Sequence, residues 1–389
     1  MDIRINPQKL FGAVTPPPSK SMSHRAMLAQ MLCEKPGVIM NLGDSQDIQA
    51  TGRCLEALRG STGEALPLLD CGESGSTLRF LIPVALAVKK GARFTGQGRL
   101  MERPQKPYFD IFEEKGIQYS LKENVLTVQG ELRAGVYSLP GNVSSQFITG
   151  LLYALPMLEG DSEIRMTSKL ESTGYVDMTL DTLQQFGIHV ENRMYKTFFI
   201  PGRQKYQGRN VTVETDWSQA AFWYAAAFLN NPVKINGLRE DSLQGDRVIA
   251  QLYHSMKNLG ELEVDVSECP DLLPALAVMA AVRSGQTCFV NAARLRVKES
   301  DRLSTTAALL HSLGVAAQEQ PETLIVDGGS PLSGGIVDGA NDHRIVMAAA
   351  VAATVCTTPV TILGAEAINK SYPRFWEDYK ALGGDVCVL

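Results

Sequence analysis

Six times along this 389-residue chain a short polar turn opens into a helix of small apolar residues. The openings are KSMSHRAMLAQML from Lys20, SGSTLRFLIPVALAV from Ser74, NVSSQFITGLLYALP from Asn142, DWSQAAFWYAAAFL from Asp216, PDLLPALAVMAAV from Pro270 and NDHRIVMAAAVAATV from Asn341. Each carries Ser, Asp or Asn, the side chains that cap free N–H groups at a helix start. Successive openings lie roughly 55–75 residues apart, a period that fits a repeated α/β unit. The Ala and Gly content lets backbones approach closely, which places these helices in domain interiors.

Strand-like alternations fall between them: Val125–Val128, Glu163–Met166, Thr197–Ile200, Asn210–Val213, Val233–Ile235, Leu324–Val326 and Val360–Leu363. A second helix type is amphipathic and stops at Gly: Asp177–Gly187, Asp246–Gly260 and Asp301–Gly314. Six units of about two helices and several strands result, three in each half. The chain therefore reads as two similar α/β domains, in line with the soft prior of about 150 residues per domain. No low-complexity linker separates the halves, and the boundary is placed near Val213–Asp216.

Composition narrows the function classes. With 44% hydrophobic and 20% charged residues the chain is a soluble globular type. The longest apolar runs, Leu272–Val282 and Ile345–Cys356, are shorter than the ~18 residues that a membrane span needs. The amino terminus has no signal-peptide apolar stretch. The net charge of −5 argues against nucleic acid or anionic membrane as a partner. Any anionic ligand must then be held by local clusters of basic residues. Cys33, Cys54, Cys71, Cys269, Cys288, Cys356 and Cys387 are scattered without a CxxC pair, which fits reduced, mostly buried thiols and a cytoplasmic location. The five isolated histidines show no metal-ligand spacing, and no metal is expected.

Basic residues beside helix openings are the main chemical signal. Lys20, Ser21 and Arg25 surround one helix start, where free N–H groups and the positive dipole end favour an anion. Arg79 follows the Ser74-Gly75-Ser76 turn, and Gly75 lets a ligand approach the backbone. Arg103 lies in the MERPQ loop, and Lys298, Arg302, Arg344 and Lys370 recur in the second half near helix starts or a turn. Each can also be read as a solvated surface charge. RVKESDRL (Arg296–Leu303) is either a salt-bridged helix face or part of a site. Asp271 reads as a helix cap or a general base; Ser144, Ser145 and Gln146 read as capping residues or as phosphate ligands; Tyr175 reads as core.

Together, PSKSMSHRAML, ESGSTLRFL, MERPQKPY, LPGNVSSQFITGLL, ESTGYVDMTL, CPDLLPALAVMAA, RVKESDRL, NDHRIVMA and NKSYPRFWEDY resemble the 5-enolpyruvylshikimate-3-phosphate (EPSP) synthase family. The segments are collinear and run from Ser19 to Tyr379. The resemblance implies an α/β (α+β), two-domain inside-out enolpyruvyl transferase fold, each domain three βαβαββ repeats around buried helices. It implies a discontinuous domain of residues 1–15 plus 214–389 and an inserted domain of 16–213, with the active site in the cleft between them. The implied reaction moves the carboxyvinyl group of phosphoenolpyruvate to the 5-hydroxyl of shikimate 3-phosphate through a tetrahedral ketal, without cofactor or metal. The implied partners are these two small molecules alone, and a monomer is expected.

By the family's pattern, shikimate 3-phosphate meets Lys20, Ser21, Arg25, Ser144, Ser145, Gln146, Ser172, Tyr175, Asp271 and Lys298. Phosphoenolpyruvate meets Lys20, Gly75, Arg79, Arg103, Gln146, Glu299, Arg302, Arg344 and Lys370. Asp271 is then the base at the 5-hydroxyl, with Glu299 and Lys20 handling protons at the methylene carbon and the bridging oxygen. The physics agrees: like charges ~4 Å apart repel by about 4 kcal/mol at an effective dielectric near 20, so ligands this acidic need interleaved cations. Three positions depart from the family's commoner pattern: Glu73 replaces Asn, Phe80 stands where some glyphosate-sensitive members have Pro, and Arg294 takes the place of a substrate-side Asn. Rival readings are a UDP-N-acetylglucosamine enolpyruvyl transferase, which would carry a Lys-Asn pair where Lys20-Ser21 stands, and a catalytically silent phosphometabolite-binding protein. An RNA-phosphate-processing protein of related repeats would need basic stretches with interleaved aromatics, which this chain lacks.

Overall fold

A computed structural model of the chain describes residues 1–61 and 65–389. Two compact units are present, Met1–Pro17 with Glu214–Leu389, and Pro18–Val213.

In Pro18–Val213 the helices are α1 (Lys20–Leu32), α2 (Gln46–Gly60), α3 (Gly75–Lys89), α4 (Lys106–Lys115), α5 (Ser145–Ala154) and α6 (Thr173–Gln185). Two four-stranded sheets share one design. The first runs Leu68–Asp70, Gly91–Thr95, Val125–Gln129, Gln118–Lys122, with a parallel first pair and antiparallel neighbours after it. The second runs Val136–Leu139, Ser162–Met166, Thr197–Ile200, Glu191–Arg193 in the same sense. Along the chain each is strand–helix–strand–helix–hairpin, so a parallel crossover is followed by a tight return. A shorter third unit carries α1 and α2, with Ile39–Met40 parallel to Val211–Thr212. Only these two residues of the Asn210–Val213 alternation pair in a sheet.

Ser19, Ser74 and Ser144 cap α1, α3 and α5 through their hydroxyls. α3 is mostly apolar and buried along most of its length, as a helix without a continuous polar stripe must be. Pro83 sits inside it and removes the donor that would reach the Arg79 carbonyl one turn back. That carbonyl instead faces the Tyr108 hydroxyl of α4 at 2.8 Å. Gly150 of α5 permits the contact, because a Cβ there would lie 2.4 Å from the Tyr108 oxygen and 2.5 Å from the Arg79 carbonyl. A proline, a tyrosine and a glycine thus fix the backbone from which the Arg79 side chain projects.

The discontinuous unit repeats the plan with α7 (Trp217–Phe228), α8 (Ile249–Ser255), α9 (Leu273–Val282), α10 (Arg302–Ser312), α11 (His343–Ala353) and α12 (Phe375–Ala381). One sheet runs Leu262–Asp265, Gly285–Val290, Leu324–Gly328, Ala316–Glu319. The other runs Ile336–Asp338, Val360–Leu363, Ile3–Asn6, Asp385–Val388, so the first strand of the chain lies between two of the last. Gly12–Val14 pairs in parallel with Val233–Ile235 in the short unit. α9 and α11 are almost wholly buried. Among the described residues no helix is long and apolar enough to cross a membrane.

Two local expectations change. The Asp246–Gly260 helix opens as a 3-10 turn at Gly245–Val248, and α8 ends by Ser255. RVKESDRL is not one helical face: Lys298 closes the 3-10 turn Ala293–Val297, Asp301 caps, and α10 starts at Arg302. Lys298 and Arg302 are therefore on different elements and are brought together by a carboxylate, as described next.

Candidate active site

In Pro18–Val213 the cations gather around the caps of α1 and α3. Lys20 opens α1 and its Nζ lies 2.7 Å from Asp47 of α2. Arg25, one turn on, is only 3% exposed. Its Nε donates to Thr179 Oγ1 of α6 at 2.9 Å, Nη1 to the Ser21 carbonyl at 2.7 Å and Nη2 to the Tyr175 carbonyl at 2.8 Å. Its guanidinium carbon lies 5.4 Å from the centre of the Phe80 ring, so Phe80 is a packing platform for this cation. Burial pushes its pKa down to about 10, which still leaves it charged at neutral pH. None of these partners is a carboxylate. A buried guanidinium held only by neutral groups is a ready anion site.

Arg103 is of the same kind. It is 8% exposed, and its guanidinium makes no hydrogen bond or ion pair with any described residue. It lies against Gly75 at the start of α3, where an added Cβ would meet Nη1 at 2.6 Å and Cζ at 2.9 Å. Here the glycine makes room for a cation. The guanidinium is the end of a flexible side chain, so Gly75→Ala is expected to fold normally while moving the charge. The KM for the anion held there should rise by roughly 10-fold, about 1.5 kcal/mol for one charged hydrogen bond, with an unchanged thermal midpoint; steady-state kinetics and a melting curve check both.

Arg79 Nη1 donates to Gln146 Oε1 at 2.8 Å, and Nη2 to the Pro104 carbonyl at 3.0 Å. The Gln146 amide nitrogen reaches Ser76 Oγ at 3.0 Å, so the amide is oriented from both ends. Ser144 caps α5 beside it, and Ser145 is buried in the first turn. Ser172 is buried at φ 55°, a left-handed backbone uncommon for Ser, and Tyr175 follows in the first turn of α6. Glu73 is half-buried in the turn before the Ser74 cap.

A run of contacts ties α1 to the α3 cap: His24 Nδ1 to Thr51 Oγ1 at 2.7 Å, Thr51 to Thr77 at 2.6 Å, and Thr77 to Ser74 at 2.7 Å. Burial, with Lys20 and Arg25 nearby, holds the His24 imidazole well below its ordinary pKa of 6.5, so it stays neutral when the unfolded chain would be protonated. The unfolded state then binds the extra proton, and stability falls as pH drops below 6.5, by up to ~1.4 kcal/mol per pH unit. Chemical denaturation at pH 7 and 5.5 should show this loss in the natural chain and a smaller loss in His24→Asn.

The discontinuous unit gathers three cations and three carboxylates. Arg302 is 1% exposed: Nε and Nη2 donate to Asp342 at 2.9 and 3.2 Å, Nη2 to Glu299 at 2.5 Å, and Nη1 to Asp271 at 2.9 Å. Burial works against its charge, but Asp342, Glu299 and Asp271 more than offset this and raise its pKa. Arg344 Nη2 donates to Asp271 Oδ2 at 3.0 Å and to Ser218 Oγ of α7 at 3.1 Å. Lys298 Nζ lies 3.1 Å from Asp271 Oδ1. Asp271, in the 3-10 turn Pro270–Leu272, therefore is not a helix cap; it bridges three cations. Burial alone would raise its pKa, yet Arg344, Lys298 and Arg302 hold the carboxyl well below the usual range. Burial lowers the Lys298 pKa against the opposing pull of Asp271.

Asp342 is a residue that sequence reasoning missed. It is fully buried, caps α11 through the Arg344 N–H, and accepts from Ser300 and Arg302. An acid at a helix opening directly before His343-Arg344 was the available signal for the cap, though not for the ion pair. Asp47 and Ser218 were missed in the same way. Before Asp342, Ala340 and Asn341 both sit at φ 51°, and this turn presents the Asn341 carbonyl to Lys370 Nζ at 2.5 Å. Arg294 is buried, with Nη1 3.4 Å from the Ser267 carbonyl.

Each set can grip anionic groups, and the carboxylates of the discontinuous unit can also hold or take up protons beside its cations. The EPSP synthase (3-phosphoshikimate 1-carboxyvinyltransferase) family model matches residues 5–379. A Clostridium acetobutylicum protein named 3-phosphoshikimate 1-carboxyvinyltransferase is 46% identical, with 99% of this chain and 98% of that protein covered. A Clostridium novyi protein of the same name is 44% identical, with 98% of each covered. Among solved structures, EPSP synthase from Acinetobacter baumannii matches with a TM-score of 0.79 at 24% identity over 100% of both chains. The enolpyruvyl transferase NikO from Streptomyces tendae matches with a TM-score of 0.78 at 18% identity, over 99% and 98% of the two chains. These two likenesses bear on fold alone. With near-complete coverage at 46% identity and the family match across both units, the chain belongs to the EPSP synthase family.

Proposed function

We infer that this chain transfers the carboxyvinyl group of phosphoenolpyruvate to the 5-hydroxyl of shikimate 3-phosphate, giving 5-enolpyruvylshikimate 3-phosphate and phosphate. The observation that carries the residue assignment is Asp271, a carboxylate set among Lys298, Arg302 and Arg344 with Glu299 on the same arginine. In the addition step Asp271 takes the 5-hydroxyl proton as that oxygen bonds to C2 of phosphoenolpyruvate, and an acid protonates the methylene carbon. In the elimination step a base removes a proton from the new methyl group as the C2–phosphate bond breaks. Glu299 and Lys20 serve the methylene carbon and the leaving oxygen.

Arg25, Ser21, Ser144, Ser145, Ser172 and Tyr175 bind shikimate 3-phosphate, with Gln146 reaching both substrates. The neutral partners of Arg25 support this, since a phosphate supplies the missing anion. Gly75, Arg103, Arg302, Arg344 and Lys370 bind phosphoenolpyruvate, and Arg79 holds the Gln146 amide for both. The seven cysteines, all as free thiols, support a reducing cytoplasm as the location. The protein acts as a monomer on two small molecules.

Phosphate release with both substrates tests the reading. Release that requires shikimate 3-phosphate supports it. Release with UDP-N-acetylglucosamine in its place would assign the other acceptor, and binding without release would leave a silent binding protein.

A further inference from the structure

The cations at the centre of the discontinuous unit's cluster are already held by carboxylates. Lys298, Arg302 and Arg344 are interleaved with Asp271, Glu299 and Asp342. This contrasts with Arg25 and Arg103, whose guanidinium groups meet no carboxylate among the described residues. An incoming anion is drawn to those two as they stand. At Arg302 and Arg344 it meets guanidinium groups that already hold carboxylates.

The three carboxylates are not equivalent. Asp342 is 0% exposed, and both its oxygens are held by Arg302, Ser300 and the Arg344 backbone. It is a permanent counter-ion that positions Arg302. Asp271 is 16% exposed and spans the two arginines, Oδ1 on Arg302 Nη1 at 2.9 Å and Oδ2 on Arg344 Nη2 at 3.0 Å. Two guanidinium groups sharing one carboxylate across its two oxygens make a carboxylate seat, and the side chain now in it can be reached from solvent.

We propose that Asp271 is a built-in stand-in for the substrate carboxylate: it occupies the Arg302–Arg344 seat until the carboxylate of phosphoenolpyruvate displaces it. Displacement strips two guanidinium groups from Asp271 and leaves it beside Lys298. The same exchange therefore seats the donor and frees the base. This rests on the reading above, in which Asp271 faces the acceptor hydroxyl and the arginines face phosphoenolpyruvate. It adds that the two ligands of the arginine pair, internal and external, exclude one another.

The test is binding without turnover. Phosphoenolpyruvate alone is titrated calorimetrically into the natural chain and Asp271→Asn, which keeps the shape and removes the competing charge. Affinity should rise at least ~10-fold in the variant, the direction expected when a like charge leaves an anion seat. Oxalate, two carboxylates and no phosphate, should gain similarly. Equal or weaker binding of phosphoenolpyruvate by a variant with a normal unfolding transition overturns the proposal; Asp271→Ser gives the same comparison should the amide variant fail to fold. Phosphate release by the natural chain is run alongside. Full turnover there with no affinity gain in the variant removes the stand-in and leaves the transfer reading intact. No turnover with either acceptor removes the transfer reading itself.

Discussion

Replacing Asp271 by Ala is expected to lower turnover by at least ~10²-fold, the low end for losing a positioned acid or base, while both substrates still bind. The carboxylate is not the N-cap of α9, and its oxygens lie against the side chains of Lys298, Arg302 and Arg344. Its loss leaves Arg302 with Asp342 and Glu299, so that cation stays anchored. The defect should appear in kcat, with the KM for phosphoenolpyruvate unchanged or lower. Steady-state phosphate release over a range of both substrates measures the split. Normal kcat would remove Asp271 from the chemistry.

Asp342→Ala should act mainly on the fold. Breaking a buried ion pair by deleting one partner costs about 3–5 kcal/mol, and the lost helix cap adds about 1 kcal/mol. Arg302, 1% exposed, would keep only Glu299 and Asp271 against its charge, both more exposed than Asp342. In urea the transition of the unit containing Asp342 should move to lower concentration while that of Pro18–Val213 stays put, so two probes are needed rather than one two-state fit. Asp342→Asn restores the cap without the charge and should recover only the smaller part. An unchanged urea midpoint in Asp342→Ala would show that the pair contributes nothing net.

Much of the fold is legible in the sequence because the repeating helices announce their own starts. Ser19, Ser74, Ser144, Asp216 and Asp342 each cap where a polar residue precedes an apolar run, and Gly116, Gly187 and Gly314 follow helix ends at positive φ. Strands such as Thr197–Ile200, Val233–Ile235 and Val360–Leu363 were set by alternation and turn residues alone. What local pattern cannot carry is partnership at a distance. Asp47 meets Lys20 across 27 residues, Thr179 meets Arg25 across 154, and Ser218 meets Arg344 across 126. Nothing beside Asp342 in the chain states that Arg302, 40 residues earlier, will lie against it. The break inside RVKESDRL was missed for a different reason: i,i+4 charge spacing looks the same whether the backbone is one helix or two turns joined at Ser300.

The strand Ile3–Asn6 has a consequence for biosynthesis. It precedes every other described strand, yet both its sheet neighbours, Val360–Leu363 and Asp385–Val388, follow Pro18–Val213 in the chain. A ribosome therefore holds this sheet incomplete until Val360–Leu363 and Asp385–Val388 have been made, whereas every pairing within Pro18–Val213 is available earlier. Nascent-chain stalling experiments would find protease resistance first in the inserted segment. The sheet of Ile3–Asn6 closes after that segment, like a clasp whose two halves are forged far apart in time.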